Sequence, residues 1–329
     1  FNFLFMDVEH LISDEGIPEG YKFDQISTQC TVSFPVPEGL TMEGIEFEFN
    51  KDTNEIFIKI KGNEYPQVCG ILDGTVASEH HEIVDSVFHL VLEKKDEILW
   101  AYLISGRSSK GIDPKSLFIL GFGADMNKNP REAFGLFKES ANKGYFQAKL
   151  IVADTYLNDD NPYDIKADYQ KGIKVLESIP KERYHTELYK FLANAYIKAN
   201  EIEKAAEILR NISTESDEAR LTLAKLFSPV CGCKDNSKVD EAVSNLKILA
   251  KKKNVEAMKI LAQHYANGYG VDKDLDKAKS LLKKVHKNDP EALNDCQKSS
   301  VSITLISIAA VSVALIGFLG IRLFMRRRK

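Results

Sequence analysis

The chain has 329 residues, 44% of them hydrophobic, and its 48 acidic and 44 basic side chains give a formal net charge of −4; this length provides for two domains. The acidic charge is concentrated in residues 1–110, where 20 acidic residues outnumber 8 basic ones. Nucleic acid is therefore not expected as a partner of this part, whereas a basic peptide would be attracted to it.

The five cysteines are an odd and scattered set, which argues against a disulfide framework and indicates a reducing compartment. Residues 1–20 precede the first predicted strand and form a separate N-terminal segment, part of which we expect to be disordered. Its opening apolar stretch covers only residues 1–5, before Asp7 and Glu9. A secretory signal needs an apolar region of about seven residues or more, so this stretch is too short to be one.

Residues 21–105 have the pattern of antiparallel β-strands. Short or alternating apolar runs end at glycine, proline or aspartate, and Ile56, Ile58 and Ile60 show the alternation clearly. The predicted strands cover residues 31–34, 45–49, 56–60, 70–76, 84–92 and 99–104. So many strands with no helix between them predict an antiparallel β-sandwich.

Two segments near the end of this region resemble a known family. The first is the alternating strand Phe88-His89-Leu90-Val91-Leu92-Glu93-Lys94, and the second is Trp100-Ala101-Tyr102-Leu103. They are similar to the end of the CS domain, the Hsp20-like sandwich of co-chaperones, where an acid–lysine pair ends one strand and Trp-x-x-Leu forms the next. The resemblance implies binding of chaperones or their clients. Val87-Phe88 departs from the family, because many members have a tryptophan there.

From Asp113 onward the apolar spacing is helical, and the sequence repeats itself. A Leu/Val-Ala-x-x-Tyr/Phe motif occurs four times, at spacings of 40, 31 and 38 residues. Alanines separated by 14 or 15 residues would let neighbouring helices approach closely. We therefore predict an α-solenoid over residues 113–297. Its repeat core is expected at Ala153, Tyr156, Ala193, Tyr196, Ala224, Phe227, Ala262 and Tyr265.

The unit that begins at Glu241-Ala242 closely resembles a Sel1 repeat, the longer-looped relative of the tetratricopeptide repeat. It has a Gly-x-Gly-Val loop at Gly268-Tyr269-Gly270-Val271, followed by Lys277-Ala278. Residues 134–156 resemble a second copy, preceded by Gly121-Phe122-Gly123, which we interpret as a repeat loop. Units 168–200 and 201–238 lack the glycine loop and are closer to tetratricopeptide repeats. The resemblance implies a surface that binds extended or helical polypeptides.

Residues 301–321 are uncharged and mostly apolar, and as a helix they would be about 31 Å long, which matches the hydrocarbon core of a bilayer. We predict a single transmembrane tail anchor, with the preceding residues facing the cytosol. Its apolar residues are Val301, Ile303, Leu305, Ile306, Ile308, Val311, Val313, Leu315, Ile316, Phe318, Leu319 and Ile321. A basic tail, residues 322–329, follows with Arg322, Arg326, Arg327, Arg328 and Lys329, and we interpret it as the targeting signal.

The sequence gives no indication of an enzyme, a cofactor or a metal site. His80-His81-Glu82 is interpreted as a surface loop, and Cys231-Gly232-Cys233 lacks the second cysteine pair that a zinc site would need. The recurring aromatic residues could grip a peptide, but their position in the repeat favours a core role. The lysines at 251–253 and 283–284 are either solvated helix ends or contacts for anionic lipid headgroups.

The domain order resembles that of the tail-anchored receptors of the outer-membrane protein translocase (TOM) of hydrogenosomes, which are mitochondrion-related organelles. This resemblance implies a receptor that captures precursor proteins through their targeting peptides, or chaperones of the Hsp70 or Hsp90 type. A β-barrel import channel, small tail-anchored subunits and the lipid bilayer would be its further partners. Two alternatives stay open: a tail-anchored Sel1-like adaptor of quality control in the endoplasmic reticulum, and a membrane-anchored co-chaperone or scaffold.

Overall fold

The computed structural model of the chain describes residues 20–288. The chain divides into two compact units, Phe1–Tyr184 and His185–Lys329. Residues 1–19 of the predicted N-terminal segment, the predicted anchor at 301–321 and the basic tail at 322–329 lie outside the described residues. Within residues 20–288, no helix has the length and apolar character needed to cross a bilayer.

From residue 20 onward, the described part of the first unit starts with eight antiparallel strands in two four-stranded sheets. One sheet has the order β1-β2-β7-β6 and the other the order β3-β4-β5-β8. The strands are β1 (Lys22–Gln25), β2 (Gln29–Pro35), β3 (Ile45–Asn50), β4 (Glu55–Ile60), β5 (Val68–Leu72), β6 (Val76–Val84), β7 (Val87–Lys94) and β8 (Ile104–Gly106). The predicted arrangement of antiparallel sheets followed by helical repeats is confirmed.

The two sheets share one apolar core because their strands alternate between buried and half-buried residues. Along β4, Ile56, Ile58 and Ile60 point into the core, and Leu90 and Leu92 do the same from β7 of the other sheet. This period-two alternation is the pattern that a sandwich requires of its inner faces. The core residues were therefore predictable from the sequence.

Three strand predictions are wrong in their boundaries. Residues 84–92 contain a turn at Asp85 and Ser86, whose φ angles are positive, so β6 ends at Val84 and β7 begins at Val87. Residues 70–76 belong to two strands, β5 and β6. The Trp100 segment is an irregular loop, because only Ile104–Gly106 pairs with β5.

His80-His81-Glu82 lies in the middle of β6 and not in a loop. The strand escaped prediction because it is an edge strand whose residues are mostly exposed or half-buried, which removes the apolar alternation. His81 nevertheless has a defined place: its ring stacks on Phe47 with 4.0 Å between centroids, and Nδ1 lies 2.8 Å from the Glu79 carboxylate.

The first unit ends with four helices, each packed on the next. They are α1 (Pro114–Met126), α2 (Pro130–Asn142), α3 (Phe146–Leu157) and α4 (Tyr169–Glu177). Asp113, Asn129 and Asp168 cap three of them, because each side chain accepts a hydrogen bond from the backbone N–H three residues later.

Gly121-Phe122-Gly123 lies inside α1, so the interpretation of these residues as a repeat loop is wrong. A β-carbon at Gly121 would come within 2.6 Å of the Phe137 ring on α2. The glycine is therefore required for the close approach of two helices rather than for a turn.

The described part of the second unit, residues 185–288, contains six helices, again with each packed on its successor. They are α5 (Thr186–Lys198), α6 (Ile202–Ile212), α7 (Asp217–Leu226), α8 (Val239–Lys251), α9 (Val255–Asn267) and α10 (Leu275–Asn288). Short 3-10 turns lie at Met42–Gly44 and Lys181–Arg183 in the first unit and at Pro229–Cys231 and Asn236–Lys238 in the second.

A shared burial pattern shows that α6 and α8 occupy equivalent positions in successive repeats. Counted from Ala205 and from Ala242, the buried apolar positions are the same, and Ala278 begins a similar stripe on α10. The small residue at the start of each stripe permits close helix packing.

Candidate protein-interaction site

Three large aliphatic side chains are exposed at one end of the sandwich. The exposed fractions are 60% for Ile26, 58% for Ile98 and 68% for Leu99. We call these three residues the apolar patch. Apolar side chains grouped on a surface are characteristic of contacts with other proteins, whereas single exposed ones are common everywhere.

The ammonium of Lys94 holds the apolar patch together. It donates hydrogen bonds of 2.8 Å to the backbone carbonyls of Ile26 and Ile98, and a third of the same length to the Gln25 side chain. The Lys94 residue is only 8% exposed, and its ammonium lies 5.3 Å from the centre of the Trp100 ring. Three acceptors around one buried cation fix the backbone, so the patch is preformed.

Trp100 anchors the loop that carries the patch. Its ring is 4% exposed and packs against Gly74, where a β-carbon would lie 2.1 Å from Nε1. The backbone N–H of Ala101 donates to the Asp73 carboxylate at 2.7 Å. The loop is therefore rigid on both sides of Ile98 and Leu99, which reduces the entropy that a partner would have to remove on binding.

The sequence predicted the parts of this site but not the site itself. Lys94 and Trp100 were identified from the resemblance to the CS domain, and both act as supports. The patch residues escaped because the segment 99–104 was expected to be a strand. An isoleucine and a leucine directly after Asp96 and Glu97, in a segment without alternation, were the available signal.

A buried aspartate fastens the first helix to the sandwich. Asp113 accepts hydrogen bonds from the backbone N–H of Cys69 on β5, at 3.0 Å, and of Ser116 on α1, at 2.8 Å. Tyr21 continues the network through a 2.9 Å hydrogen bond between its hydroxyl and that of Ser116. Burial raises the pKa of Asp113 to about 6, because the charged form is poorly solvated there.

A cleft of about 380 Å³ lies beside this junction, between loops of the sandwich and the ends of helices α1 and α2. Two lysines line it: Lys115 donates to the carbonyl of Tyr21, and Lys143 donates to that of Ile112 at 3.0 Å. Burial lowers the pKa of Lys115. The lining contains these two lysines and one acidic residue, Glu64, so the cleft carries a net positive charge.

The joints between helix pairs repeat one arrangement. In three of them the backbone carbonyl of the motif tyrosine accepts a 2.8 Å hydrogen bond from the backbone N–H of an acidic residue. This acidic residue stands at the start of the next helix. The pairs are Tyr156 with Asp168, Tyr196 with Glu201, and Tyr265 with Asp274. A lysine three residues later pairs with that acid at 2.6–3.0 Å, and its ammonium lies 5.2–5.7 Å from the tyrosine ring centre; these are Lys171, Lys204 and Lys277. We call this arrangement the tyrosine clamp.

The joint at Phe227 is built differently. Here Arg210 and Lys238 both lie over the phenylalanine ring, at 5.6 and 4.9 Å. The next residue, Ser228, contacts His264 with 2.7 Å between Oγ and Nε2, and His264 Nδ1 lies 2.8 Å from the Tyr269 carbonyl. Nδ1 therefore donates to the carbonyl and Nε2 accepts from the serine. Both side chains are fully buried, and burial lowers the pKa of His264.

The structure places the predicted repeat-core residues within the helix packing. Ala153, Ala193 and Ala224 are completely buried and Ala262 is nearly so; Tyr156, Tyr196 and Phe227 are at most 8% exposed, and Tyr265 is half-buried. Because a cation already covers the face of each aromatic ring, a peptide could not stack there without displacing it.

The remaining candidates from the sequence, the two cysteines of Cys231-Gly232-Cys233, do not form a metal site with other residues of the described part of the chain. Cys231 is exposed in a 3-10 turn, and Cys233 follows it after Gly232, whose φ is +98°. Among residues 20–288 no group of three His, Cys, Asp or Glu side chains is arranged to hold a metal ion.

No family model matches the chain, and no curated protein matches it. Similar solved structures exist for both parts. The nuclear movement protein from E. cuniculi GB-M1 is similar over 26% of this chain and 99% of its own, with 24% identity and a TM-score of 0.23. The CS domain of the human KIAA1068 protein is similar over 30% of this chain and 80% of its own, with 17% identity and a TM-score of 0.25. A Sel1 repeat protein from Oxalobacter formigenes is similar over 59% of this chain and 79% of its own, with 18% identity and a TM-score of 0.39.

Proposed function

We propose that this protein is a membrane-anchored receptor that binds other polypeptides and catalyses no reaction. The observation that carries the proposal is the apolar patch: Ile26, Ile98 and Leu99 are 58–68% exposed on a backbone that Lys94 holds in place. Burial of one such side chain contributes about 1.5–3 kcal/mol, so a partner that covers all three gains enough for specific recognition.

The charge of the sandwich supports a basic client. Residues 1–110 carry twelve more acidic than basic residues, which attracts positively charged segments from a distance and raises the rate of encounter. Amphipathic targeting peptides combine basic and apolar residues on one helix, so they match an apolar patch on an acidic domain. The repeat helices of the second unit add further surface for proteins.

We propose further that the membrane is the outer membrane of a mitochondrion-related organelle. The apolar run at 301–321, its basic tail and the resemblance to hydrogenosomal translocase receptors support this address. In this role the protein would capture precursor proteins or their Hsp70- or Hsp90-type chaperones. It would pass them to a β-barrel channel with small tail-anchored subunits.

The test is native co-purification of the intact protein after membrane extraction, with partners identified by mass spectrometry. A β-barrel channel with small tail-anchored subunits is the expected result. Ubiquitin-ligase or glycan-processing partners would contradict it and favour the quality-control adaptor.

The role of the patch is tested by Ile98→Ser and Leu99→Ser in the same full-length chain. Capture of precursor proteins by the double variant is expected to weaken about a hundredfold, because each change removes apolar area worth about 1.4 kcal/mol in binding. Met126→Ser is the matched control: Met126 is 83% exposed on α1, outside the patch. Equal capture by the patch variant and the control variant would show that clients bind elsewhere.

A further inference from the structure

Ion pairs connect equivalent helices of successive repeats in the second unit. Arg210 on α6 forms a double hydrogen bond with Glu241 on α8, at 2.7 and 2.9 Å. Lys225 on α7 pairs with Glu256 on α9 at 2.5 Å, and Lys190 on α5 pairs with Glu218 on α7. These pairs largely neutralise the surface from α5 to α8.

We call this series of ion pairs between equivalent helices the ion-pair ladder. It is interrupted at the next step, between α8 and α10. Arg210 stands five residues after Ala205, and Glu241 stands one residue before Ala242. The equivalent residues for the α8–α10 step are Lys247, five after Ala242, and Lys277, one before Ala278. Two lysines occur where the preceding step has an arginine and a glutamate. Like charges repel, so no ion pair equivalent to Arg210–Glu241 can form here.

Exposed lysines on these two helices are left without an acidic partner within residues 20–288. Lys247 and Lys251 on α8 and Lys279, Lys283 and Lys284 on α10 are all exposed, and we call these five residues the lysine face. None of them forms an ion pair with another residue of the described part of the chain. Between residues 242 and 285 there are ten lysines and four acidic residues, whereas residues 185–241 carry ten acidic and eight basic ones.

We propose that the lysine face binds the anionic headgroups of the membrane in which the protein is anchored; this rests on the proposed tail anchor. Helix α10 ends at Asn288, and twelve residues separate it from the apolar run that begins at Val301. Even fully extended, twelve residues span only about 40 Å, so the end of α10 stays within about that distance of the bilayer surface, and the lysine face can reach it. Each lysine near an anionic membrane contributes about 1 kcal/mol, and the tether makes the binding intramolecular.

Exposed apolar residues near the same helices fit a lipid surface. Leu275 at the start of α10 is 49% exposed, and Tyr269 in the preceding loop is 38% exposed. A tyrosine and an aliphatic side chain next to lysines are the residue types that enter the headgroup region of a bilayer.

The test is lysine footprinting of the full-length chain in vesicles. The protein is reconstituted into phosphatidylcholine vesicles and into vesicles in which about one third of the lipid is phosphatidylserine. An amine-reactive reagent then labels the cytosolic side, and mass spectrometry gives the labelling rate of each lysine. We expect the lysine face to react several-fold more slowly in the anionic vesicles. Lys22 on the sandwich and Lys234 in the second unit, both exposed, should react equally in the two preparations.

Two further observations make the outcome decisive. Protection should disappear in 1 M salt, where the screening length falls to about 3 Å. Lys247→Gln with Lys283→Gln should reduce protection of the three remaining lysines, whereas Lys234→Gln should not. Equal labelling in both vesicles, with the protein resistant to alkaline extraction, would overturn the lipid contact alone. Loss of the protein on alkaline extraction would instead overturn the tail anchor.

Discussion

Asp113 shows how one buried group can join two kinds of structure. One oxygen of its carboxylate caps α1, and the other accepts a hydrogen bond from β5. The same side chain therefore joins the sandwich to the first helix. The cost is electrostatic, because the carboxylate is fully buried and its pKa rises to about 6. The sequence predicted a helix from Asp113 onward, but the bond to Cys69 could not be predicted, since it joins residues 44 positions apart.

The raised pKa predicts a pH dependence of stability. Between pH 3.8 and about 6 the unfolded chain loses the Asp113 proton while the folded protein keeps it. The folded state therefore binds more protons, and its stability falls as the pH rises through this range, by up to about 3 kcal/mol in total. The difference in unfolding free energy between the natural protein and Asp113→Asn should decrease over the same range. Urea unfolding followed by the fluorescence of Trp100, the single tryptophan, measures it.

Asp168→Asn is the matched control for this experiment. Asp168 also caps a helix of the first unit, but it is only half-buried, and its hydrogen bond with Lys171 lowers its pKa. The advantage of the natural residue should therefore grow as the pH rises through the ordinary range of aspartate. A slope of the same sign for both variants would contradict the assignment of the raised pKa to Asp113.

At the scale of elements, local patterns determined the success of prediction. The inner strands and the helices with motif alanines were predictable, because burial imposes a period of two on strands and a helical period on helices. Strand β6 and the loop of Trp100 were not. An edge strand has no buried outer face to constrain it. The loop is fixed by the contact of Asp73 with Ala101, 28 positions later, and by a lysine that also binds the carbonyl of Ile26, and local sequence does not encode such distant contacts.

Close packing at the motif alanines predicts a strong size effect. Ala193 on α5 is completely buried in a cluster with Ala206 and Leu209 of α6. Ala193→Leu adds three carbon atoms where neighbouring side chains already fill the space, and we expect destabilisation of about 1–3 kcal/mol. Urea unfolding followed by helical circular dichroism provides the measurement.

The neighbouring Asn194 gives the control, because it is exposed on the same helix turn. Asn194→Leu introduces the same side chain without crowding, and its effect should stay within about 0.5 kcal/mol. If both variants lost equal stability, close packing at the motif alanine would not be the cause.

At the scale of the whole chain, charge is sorted along the sequence: acidic in the sandwich, nearly balanced up to α8, and basic from α8 onward. In the proposed role, the acidic part of the chain would attract basic clients and the basic part would attract anionic lipid. This distribution of charge could be predicted from the sequence. The interruption of the ion-pair ladder could not, because it depends on which side chains pair between helices in the structure.

The basic tail predicts the destination of the protein. In the proposed role, replacement of Arg322, Arg326, Arg327, Arg328 and Lys329 by serine is expected to move the full-length chain from the proposed location, an organelle outer membrane, to the endoplasmic reticulum. The reason is that the remaining apolar run carries no charge to distinguish the two membranes. Fractionation and microscopy give the readout, and a variant with lysine at all five positions, which keeps the charge, should stay in place. An unchanged location of the serine variant would remove the targeting role of the tail.

The tyrosine clamp closes over loops of very different length. The clamping acid follows its tyrosine after twelve residues at Tyr156, after five at Tyr196 and after nine at Tyr265, yet the hydrogen bond to the carbonyl is 2.8 Å each time. Loop length is thus uncoupled from the placement of the following helix. Insertions and deletions between the tyrosine and the acid can accumulate during evolution without shifting the scaffold, since a longer loop adds little entropy cost. New binding specificities can arise in these loops while the helices keep their register.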